Sequence, residues 1–261
     1  MEYQNIIFEK KEKVVTITLN RPWALNALTH QMVEEIINAL CDVAEDNDAR
    51  ALVFTGSGRG FCSGDDIKDP GIQSYTSYID MFRMKNHMMY KTIRNLRKPV
   101  IAAVNGNAHG AGSDLMLACD FRIASEKAVF GDIRTGRAIT ILTGGTYYWP
   151  QLVGLSKAIE LLFTGELIDA KEAERIGLVN KTVPADRFWE EVIGLAQKLA
   201  NGPTQLIGRV KEQIYREMNM DLATALEDEV RDHREISGKT KDSIEGKQAF
   251  LEKRSPKYLG L

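Results

Sequence analysis

KPVIAAVNGNAHGAGSDLMLACD, residues 98–120, is the segment from which the rest of this chain is best understood. The apolar run at 100–104 follows Pro99 and predicts a strand that is buried on both faces. Asn105-Gly106 interrupts the run, and Gly110-Ala111-Gly112 leads into a second apolar segment with helical composition. We therefore expect a buried strand, a turn made of small residues, and a helix.

The chemistry of this turn follows from the helix that starts after it. The first N–H groups of a helix have no partner within the helix, and the helix dipole makes them suitable donors to a developing negative charge. Asp114 falls in the predicted first turn. An acid would then stand beside donors for an oxyanion, which suits proton transfer. Alternatively, Asp114 only complements the N-terminus of its helix.

Composition excludes several classes of function. The 261 residues carry a net charge of −2, which gives no basic footprint for nucleic acid. No apolar run reaches the ~18 residues that span a bilayer, and the first residues lack the apolar core of a signal peptide. Cys41, Cys62 and Cys119 are scattered and form no CxxC. We expect a cytoplasmic protein without a metal site, a membrane partner or a nucleic-acid partner.

Strands and helices alternate up to about residue 180, and the rest is helical. Apolar runs predict strands at 14–19 and 51–54, and Thr29 is a suitable cap for the helix between them. Asp169 and Glu172 form a capping-box pair for a later helix. Residues 61–68 resemble a second strand-to-helix turn built on small residues.

Other segments are less regular. Residues 69–78 are rich in Pro, Gly, Ser and Tyr and predict a mobile loop. A helical pattern follows from about Tyr78 to Leu96. Short strands are predicted at 121–124 and 128–130, and residues 131–149 show no period until Gly144-Gly145 starts a helix. The pattern as a whole predicts an α/β fold.

These segments together resemble the crotonase superfamily, the enoyl-CoA hydratase/isomerase family. The motifs occur in family order over nearly the whole chain, which makes the joint match specific. They are NRP (20–22) with NAL (26–28), GRGFCSGDDIK (58–68), KPVIAAVNGNAHGAG (98–112), ACD (118–120), FG (130–131), GGT (144–146), FTGELIDAKEAERIGLVNKTVP (163–184) and EGKQAFLEKRSP (245–256).

The resemblance implies the fold and the assembly. A crotonase (ClpP-like) core of β-β-α turns over residues 1–198 would bind acyl-CoA. A C-terminal helical region, residues 199–261, would build a homotrimer or a homohexamer made of two trimers. The superfamily hosts several reactions on one scaffold, so the fold alone does not fix the chemistry.

The resemblance also implies where an acyl-CoA thioester would bind. Its carbonyl oxygen would be held by the backbone N–H groups of Asp65 and Ala111, because proton transfer beside a thioester passes through an enolate. CoA is part of the substrate, so no separate cofactor is implied. Further contacts to substrate or CoA are expected at Ala24, Asn26, Ser63, Gly64, Asp66, Ile67, Lys68, His87 and Gly110, and at Phe250 and Lys253 of a neighbouring subunit.

The positions that decide the chemistry depart from the usual pair of glutamates. Asp114 stands at the first position and keeps a carboxylate with one methylene less. Arg134 stands at the second and cannot act as a base near neutral pH. It could clamp a substrate carboxylate, orient a water, or pair with Asp114 and lower the pKa of that acid. Alternatively, it is a surface or inter-subunit arginine.

Two further positions bear on the reaction. His87 matches a histidine of a dehalogenating relative, although a lone histidine on an amphipathic helix is more often simply half-buried. Leu142 stands where some relatives have a catalytic aspartate, which leaves that isomerase or dehalogenase route unsupported.

Hydration of an α,β-unsaturated enoyl-CoA, whether straight, cyclic or branched, is the leading hypothesis, with Asp114 as the acid/base. Isomerisation of a double bond or ring is the first alternative, because one acid/base suffices for it. Hydrolysis or decarboxylation, with Arg134 holding a second carboxylate, is another. A non-catalytic acyl-CoA-binding paralogue is the alternative outside enzymes. Residues 69–90 and 132–149, which should line the acyl pocket, follow no pattern that names the acyl group.

Overall fold

The computed structural model describes residues 3–70 and 85–261, and within them the strands form two sheets. One sheet has the order β1-β2-β3-β5-β7-β10 and the other β4-β6-β8-β9. The β1/β2 and β8/β9 pairs are antiparallel, and the other pairs are parallel. The strands are β1 Ile6–Lys11, β2 Val14–Leu19, β3 Ala51–Gly56, β4 Gly60–Cys62, β5 Val100–Val104, β6 Asn107–His109, β7 Phe121–Ser125, β8 Val129–Gly131, β9 Ile168–Asp169 and β10 Lys181–Val183.

The central strands of the larger sheet are buried on both faces. Every residue of β3 and β5 is buried, as expected for parallel strands that helices cover on both sides. Leu52 pairs with Val100 in this register, and Ala102 pairs with Arg122 on the next strand. The strands predicted from the apolar runs are confirmed, and so is the α/β class.

Two helices begin at the capping residues that the sequence indicates. Thr29 accepts a hydrogen bond from the Met32 N–H, and Asp169 accepts one from the Glu172 N–H. Both predicted caps are confirmed. The helices are α1 His30–Glu45, α2 His87–Asn95, α3 Ala111–Ala118, α4 Gly145–Val153, α5 Leu155–Thr164, α6 Ala170–Arg175, α7 Phe188–Ala200, α8 Thr204–Glu217, α9 Leu222–Ile236 and α10 Lys241–Leu251.

Helix α3 is the most enclosed of these elements, and it positions the site. All eight of its residues are buried. It packs against β4, β6, α2 and α4, and its apolar side chains belong to the main core together with Phe54, Phe130 and Trp149. A polar side chain on α3 is therefore taken out of water and needs partners inside the protein.

The structure differs from the sequence-based expectation around the two small-residue turns. A three-residue strand, β6, lies between the interruption at Asn105-Gly106 and the start of α3. A strand this short carries too few residues to show a period. After β4, residues 63–70 are not helical, and the residues that follow lie outside the described ranges, so the helix expected after the turn at 61–68 stays a prediction. The predicted loop at 69–78 and the first part of the predicted 78–96 helix fall mainly outside the described residues.

The C-terminal part of the chain is helical, as predicted. Helices α7 to α10 follow one another from Phe188 to Leu251. Within the described part of the chain, no helix combines the length and the apolar character needed to cross a bilayer.

Candidate active site

The small-residue turns bring the end of β4 against the start of α3. Gly64 has φ +105°, and a Cβ there would lie 3.1 Å from the His109 carbonyl oxygen and 3.5 Å from the Ala111 nitrogen. A Cβ at Gly112 would lie 2.2 Å from the Cys62 carbonyl oxygen. Only glycine allows this approach, so these residues place the amide of residue 65 beside the N-terminus of α3.

The two amides predicted to bind a thioester oxygen have no acceptor in the described parts of the chain. Ala111 is the first residue of α3, so its N–H has no partner within the helix. Leu28 bonds to the residues on either side of Asp65, since its N–H donates to Gly64 O and its carbonyl accepts from Asp66 N. The Asp65 N–H takes no part in that pairing. Their joint use as an oxyanion hole stays a prediction.

Asp114 is fully buried, and its two carboxylate oxygens differ. Oδ2 accepts hydrogen bonds from Arg134 Nη2 at 2.6 Å and from the Thr143 hydroxyl. Oδ1 has no partner among the described residues. Burial raises the pKa of Asp114 to about 6, although Arg134 and Thr143 act to lower it. The predicted downward shift is therefore outweighed by desolvation, and the group titrates just below neutral pH.

The guanidinium of Arg134 is hydrogen-bonded to side chains of its own chain. Nε donates to Asp132 Oδ1 at 2.8 Å, Nη1 donates to Thr143 Oγ1 at 2.7 Å, and Nη2 donates to Asp114 and to Asp132. Of the five N–H groups of a guanidinium, four are used. The side chain is only 9% exposed. The surface-arginine alternative is thus excluded, and pairing with Asp114 is what the structure shows.

The local sequence explains how Arg134 reaches α3. Asp132 follows β8, and its Oδ1 accepts the Arg134 N–H, which tightens the turn. A 3₁₀ turn, Thr135–Arg137, then redirects the chain. At the start of α4, a Cβ on Gly145 would lie 2.6 Å from Asp114 Oδ1 and 3.3 Å from Arg134 Nη2. Glycine at that position leaves room for the ion pair.

A cleft of about 1010 Å³ opens beside Asp65 and runs along the loop after β4. Several predicted CoA contacts lie together on its wall, namely Ala24, Ser63, Asp66, Ile67 and Lys68. Trp23 stands there with 76% of its surface exposed. The cleft therefore offers a partly apolar wall that includes Asp65, the residue of one of the two amides.

The other predicted contacts lie elsewhere. The Asn26 side chain is buried and bonds to Arg21 N, Ser57 O and Gly60 O. His87 is half-buried, and its Nε2 lies 2.8 Å from Leu142 O. Gly110 lies under the side chain of Arg134. Phe250 lies on α10 and Lys253 just beyond it; both are exposed, and their contribution across a subunit boundary stays a prediction.

Sequence reasoning missed four residues at the site. Asp132 and Thr143 complete the cluster around Arg134. The hydroxyl of buried Tyr90 donates to Ala111 O at 3.1 Å, and His109 lines the cleft. Only Asp132 carried a usable signal, because an aspartate two residues before Arg134 is typical of a side-chain-capped turn. The other three are brought in by tertiary packing.

The chain belongs to the enoyl-CoA hydratase/isomerase family, whose profile matches residues 9–260. It is 38% identical to a probable enoyl-CoA hydratase of Rhizobium meliloti (strain 1021) over 259 residues, with 99% of each chain covered. It is also 38% identical to a crotonyl-CoA hydratase of Syntrophomonas wolfei, again with 99% of each covered. The crystal structure of an enoyl-CoA hydratase from Bacillus anthracis superposes with a TM-score of 0.94 at 38% identity, covering 99% of this chain and 100% of that one.

The buried charge cluster gives a test of stability. We expect Arg134→Met to lower the free energy of unfolding by about 3–5 kcal/mol at pH 8, because Asp114 and Asp132 are left buried without their cation. The pKa of Asp114 in the folded variant then rises further above its value in the unfolded chain. A raised carboxyl pKa destabilises the fold as pH rises towards it. The deficit should therefore be larger at pH 8 than at pH 5 in urea unfolding.

The matched control is Arg187→Met, which removes an exposed arginine that pairs with Glu190 and Glu191 on the surface. It should change stability by less than about 0.5 kcal/mol at either pH. An Arg134→Met deficit that is small, or that does not change with pH, would show that the cluster is not held together by charge.

Proposed function

We propose that the protein hydrates an α,β-unsaturated enoyl-CoA thioester. The observation that carries the proposal is the fully buried Asp114, whose Oδ1 has no partner among the described residues. Asp114 lies on the same helix that presents the Ala111 N–H. A carboxylate with one oxygen fixed and the other unbonded can accept a proton from a bound water. Relatives named as hydratases over the full length of the chain support the same reaction.

The reaction follows from these groups. Water attacks the β-carbon while Asp114 accepts one of its protons, and the electron pair of the double bond moves through the α-carbon onto the thioester oxygen. The N–H groups of Asp65 and Ala111 stabilise the resulting negative charge, and such donors are typically worth about 3–4 kcal/mol each. Protonation of the α-carbon completes the addition.

No redox change or metal is needed for this addition, so we propose that it runs without a cofactor apart from the CoA that the substrate carries. The cleft beside Asp65 suits that CoA, because its wall combines exposed Trp23 and Ile67 with Lys68. Lysine is a common point-charge partner for phosphate.

The direct test is an assay with crotonyl-CoA and with cyclic and branched enoyl-CoA esters, following loss of the conjugated double bond. Saturable turnover of at least one ester is the expected result. Tight binding of every ester without turnover would favour the non-catalytic paralogue instead.

Double-bond isomerisation is the second candidate, and one observation favours it. Arg134 occupies the second glutamate position and is bonded to Asp132 and Asp114, so it cannot exchange protons itself. A shift of a double bond needs only one group that carries a proton between two carbons. Product analysis separates the two reactions, since hydration adds the mass of one water and isomerisation does not change the mass.

Hydrolysis or decarboxylation is less well supported. That alternative requires Arg134 to hold a second carboxylate of the substrate, and the guanidinium has one Nη1 hydrogen left after its contacts to Asp114, Asp132 and Thr143. A bidentate clamp needs two N–H groups.

We propose a homotrimer, alone or paired into a hexamer. Its support is two rows of apolar residues at every fourth position, one along α8 and the residue after it and the other along α9. These side chains are 42–74% exposed. The rows are Leu206, Val210, Ile214 and Met218, and Leu222, Leu226 and Val230. Such surfaces are typical of protein interfaces. Analytical ultracentrifugation should give three or six times the 29.2 kDa of one chain.

We also propose a cytoplasmic location. Cys41, Cys62 and Cys119 are all free, and Cys62 and Cys119 are buried, which suits a reducing compartment.

A further inference from the structure

The side chain of Asp65 is unused by the mechanism given above. It is half-buried on the wall of the cleft, and it has no hydrogen bond or ion pair within the described ranges 3–70 and 85–261. Neighbouring carboxylates differ, since Asp66 pairs with Arg21 at 2.9 Å and Asp114 pairs with Arg134 at 2.6 Å. Asp65 is therefore the carboxyl at this end of the cleft that remains open to a ligand.

Its position relative to a bound thioester is set by its own backbone. The Asp65 N–H is one of the two donors predicted to hold the thioester oxygen, and Gly64 places it beside the Ala111 N–H. The α-carbon of the acyl group is two bonds from that oxygen. Because Asp65 also lines the cleft in which that thioester would lie, we place its short side chain near the α-carbon.

The negative charge of the enolate determines whether Asp65 can act as a carboxylate or as a neutral carboxyl group. An ionised carboxylate beside the enolate oxygen would repel the charge that Ala111 N–H and Asp65 N–H stabilise. A neutral carboxyl does not, and it carries a proton. With arginine at position 134, the site is short of one proton-transfer group, and the Asp65 carboxyl lines the cleft within range of the charges of Arg134 and Asp114.

We infer that the protonated carboxyl of Asp65 is the acid that delivers the proton to the α-carbon, while Asp114 accepts the proton of water. This inference rests on the proposed hydration. The O–C bond to the β-carbon forms as the water O–H bond breaks towards Asp114, and the enolate pair then takes the proton of Asp65. One proton has moved onto Asp114 and one has left Asp65, so transfer between the two carboxyls through water restores both.

The titration of the two carboxyls agrees with these roles. Burial raises the pKa of Asp65 to about 7, with Arg134 opposing and Asp114 adding to the rise. Burial raises the pKa of Asp114 to about 6. Between these values Asp114 is largely ionised and Asp65 is largely protonated. Hydration should therefore peak between about pH 6 and 7 and fall on both sides.

Three other titratable groups near Asp65 have pKa values that are shifted away from the alkaline side of this profile. Burial raises the pKa of the Cys62 thiol to about 12 and raises the pKa of Tyr90 well above its ordinary value of 10. Burial and nearby Arg137 lower the pKa of His109 from its ordinary value of 6.5, which is away from the alkaline side of the profile. The alkaline fall is thus assigned to Asp65.

The first measurement compares Asp65→Asn with the wild type on crotonyl-CoA between pH 5 and 9. Asparagine keeps the backbone N–H and the side-chain size but cannot donate an acid proton. We expect kcat to fall about 10²-fold with KM changed only a few-fold, and the alkaline limb to disappear. Asp65→Glu should restore part of the kcat and part of the fall in activity at alkaline pH. The limb should remain in His30→Gln, which removes an imidazole from the same cleft wall.

The second measurement is exchange of the α-protons of butyryl-CoA in D₂O, which needs no hydration. In this direction Asp65 must be ionised to accept a proton, so exchange should rise through about pH 7 while hydration falls. Asp65→Asn should lose at least about 10²-fold of the exchange rate. If exchange behaves this way but no enoyl ester is hydrated, the proposed hydration fails, while Asp65 is still identified as the group that exchanges the α-proton.

Three results would overturn the role of Asp65. They are an alkaline limb that persists in Asp65→Asn, an exchange rate that this substitution leaves unchanged, and a wild type that exchanges no α-proton. The first two leave the hydration proposal intact, because the protein would still hydrate its ester with another acid.

Discussion

Asp114→Asn should lower kcat at least about 10²-fold while the affinity for CoA esters stays nearly unchanged. The amide keeps the shape of the side chain but cannot take a proton from water. The affinity should hold because Asp114 is fully buried on α3, whereas the predicted CoA contacts Ser63 and Lys68 line the cleft. Steady-state kinetics with crotonyl-CoA, together with a binding titration, measure both quantities.

Asp120→Asn is the matched control. It neutralises a carboxylate that lies just after the same helix and that bonds to Lys211, Tyr215 and the Val100 N–H. This control should lower stability and leave kcat per folded protein unchanged. Unchanged turnover in Asp114→Asn would remove Asp114 from the mechanism, whatever the control shows.

Gly64→Ala should lower kcat by about 10²–10³-fold, the range observed when one oxyanion donor is lost. The new methyl group would lie 3.1 Å from the His109 carbonyl oxygen on a backbone with φ +105°. That contact is too tight and that conformation is unfavourable for alanine, so the peptide should rotate and turn the Asp65 N–H away from the Ala111 N–H. Kinetics with crotonyl-CoA at the pH optimum measure the loss.

The effect of backbone strain must be separated from the loss of the Asp65 N–H as a hydrogen-bond donor. The control variant for this purpose is Gly238→Ala. Gly238 also has positive φ, +72°, but a Cβ there meets nothing within 4 Å. It lies between α9 and α10, outside the cleft. This variant should lose about 1 kcal/mol of stability with kcat unchanged. A Gly64→Ala enzyme within threefold of wild-type kcat would mean that the Asp65 amide does not hold the thioester oxygen.

The fold was largely predictable because its main elements carry local signals. The apolar runs that become β3 and β5 are buried on both faces, and Thr29 and Asp169 cap their helices as their side chains predict. The three-residue strand β6 was not predictable, because it is held by pairing with β4 and β8 and has no pattern of its own.

The site was predictable only in part. The small-residue turn before Asp114 was enough to predict that this residue lies at the site. The choice between three roles for Arg134 depended on which side chains pack against its guanidinium. Asp114 is 20 residues from Arg134 and Thr143 is 29 residues from Asp114. Contacts at that separation are decided by packing, and no sequence period records them. The Asp65 carboxyl has no partner among the described residues, and this too depends on tertiary packing that the sequence does not record.

The bonding of Arg134 also limits how this site could change over generations. A single Arg134→Glu replacement would leave three carboxylates, at 114, 132 and 134, without a cation in one buried cluster. Such an intermediate should fold poorly. A carboxylate at 134 would therefore be tolerated only where Asp132 is neutralised, so positions 132 and 134 should vary together.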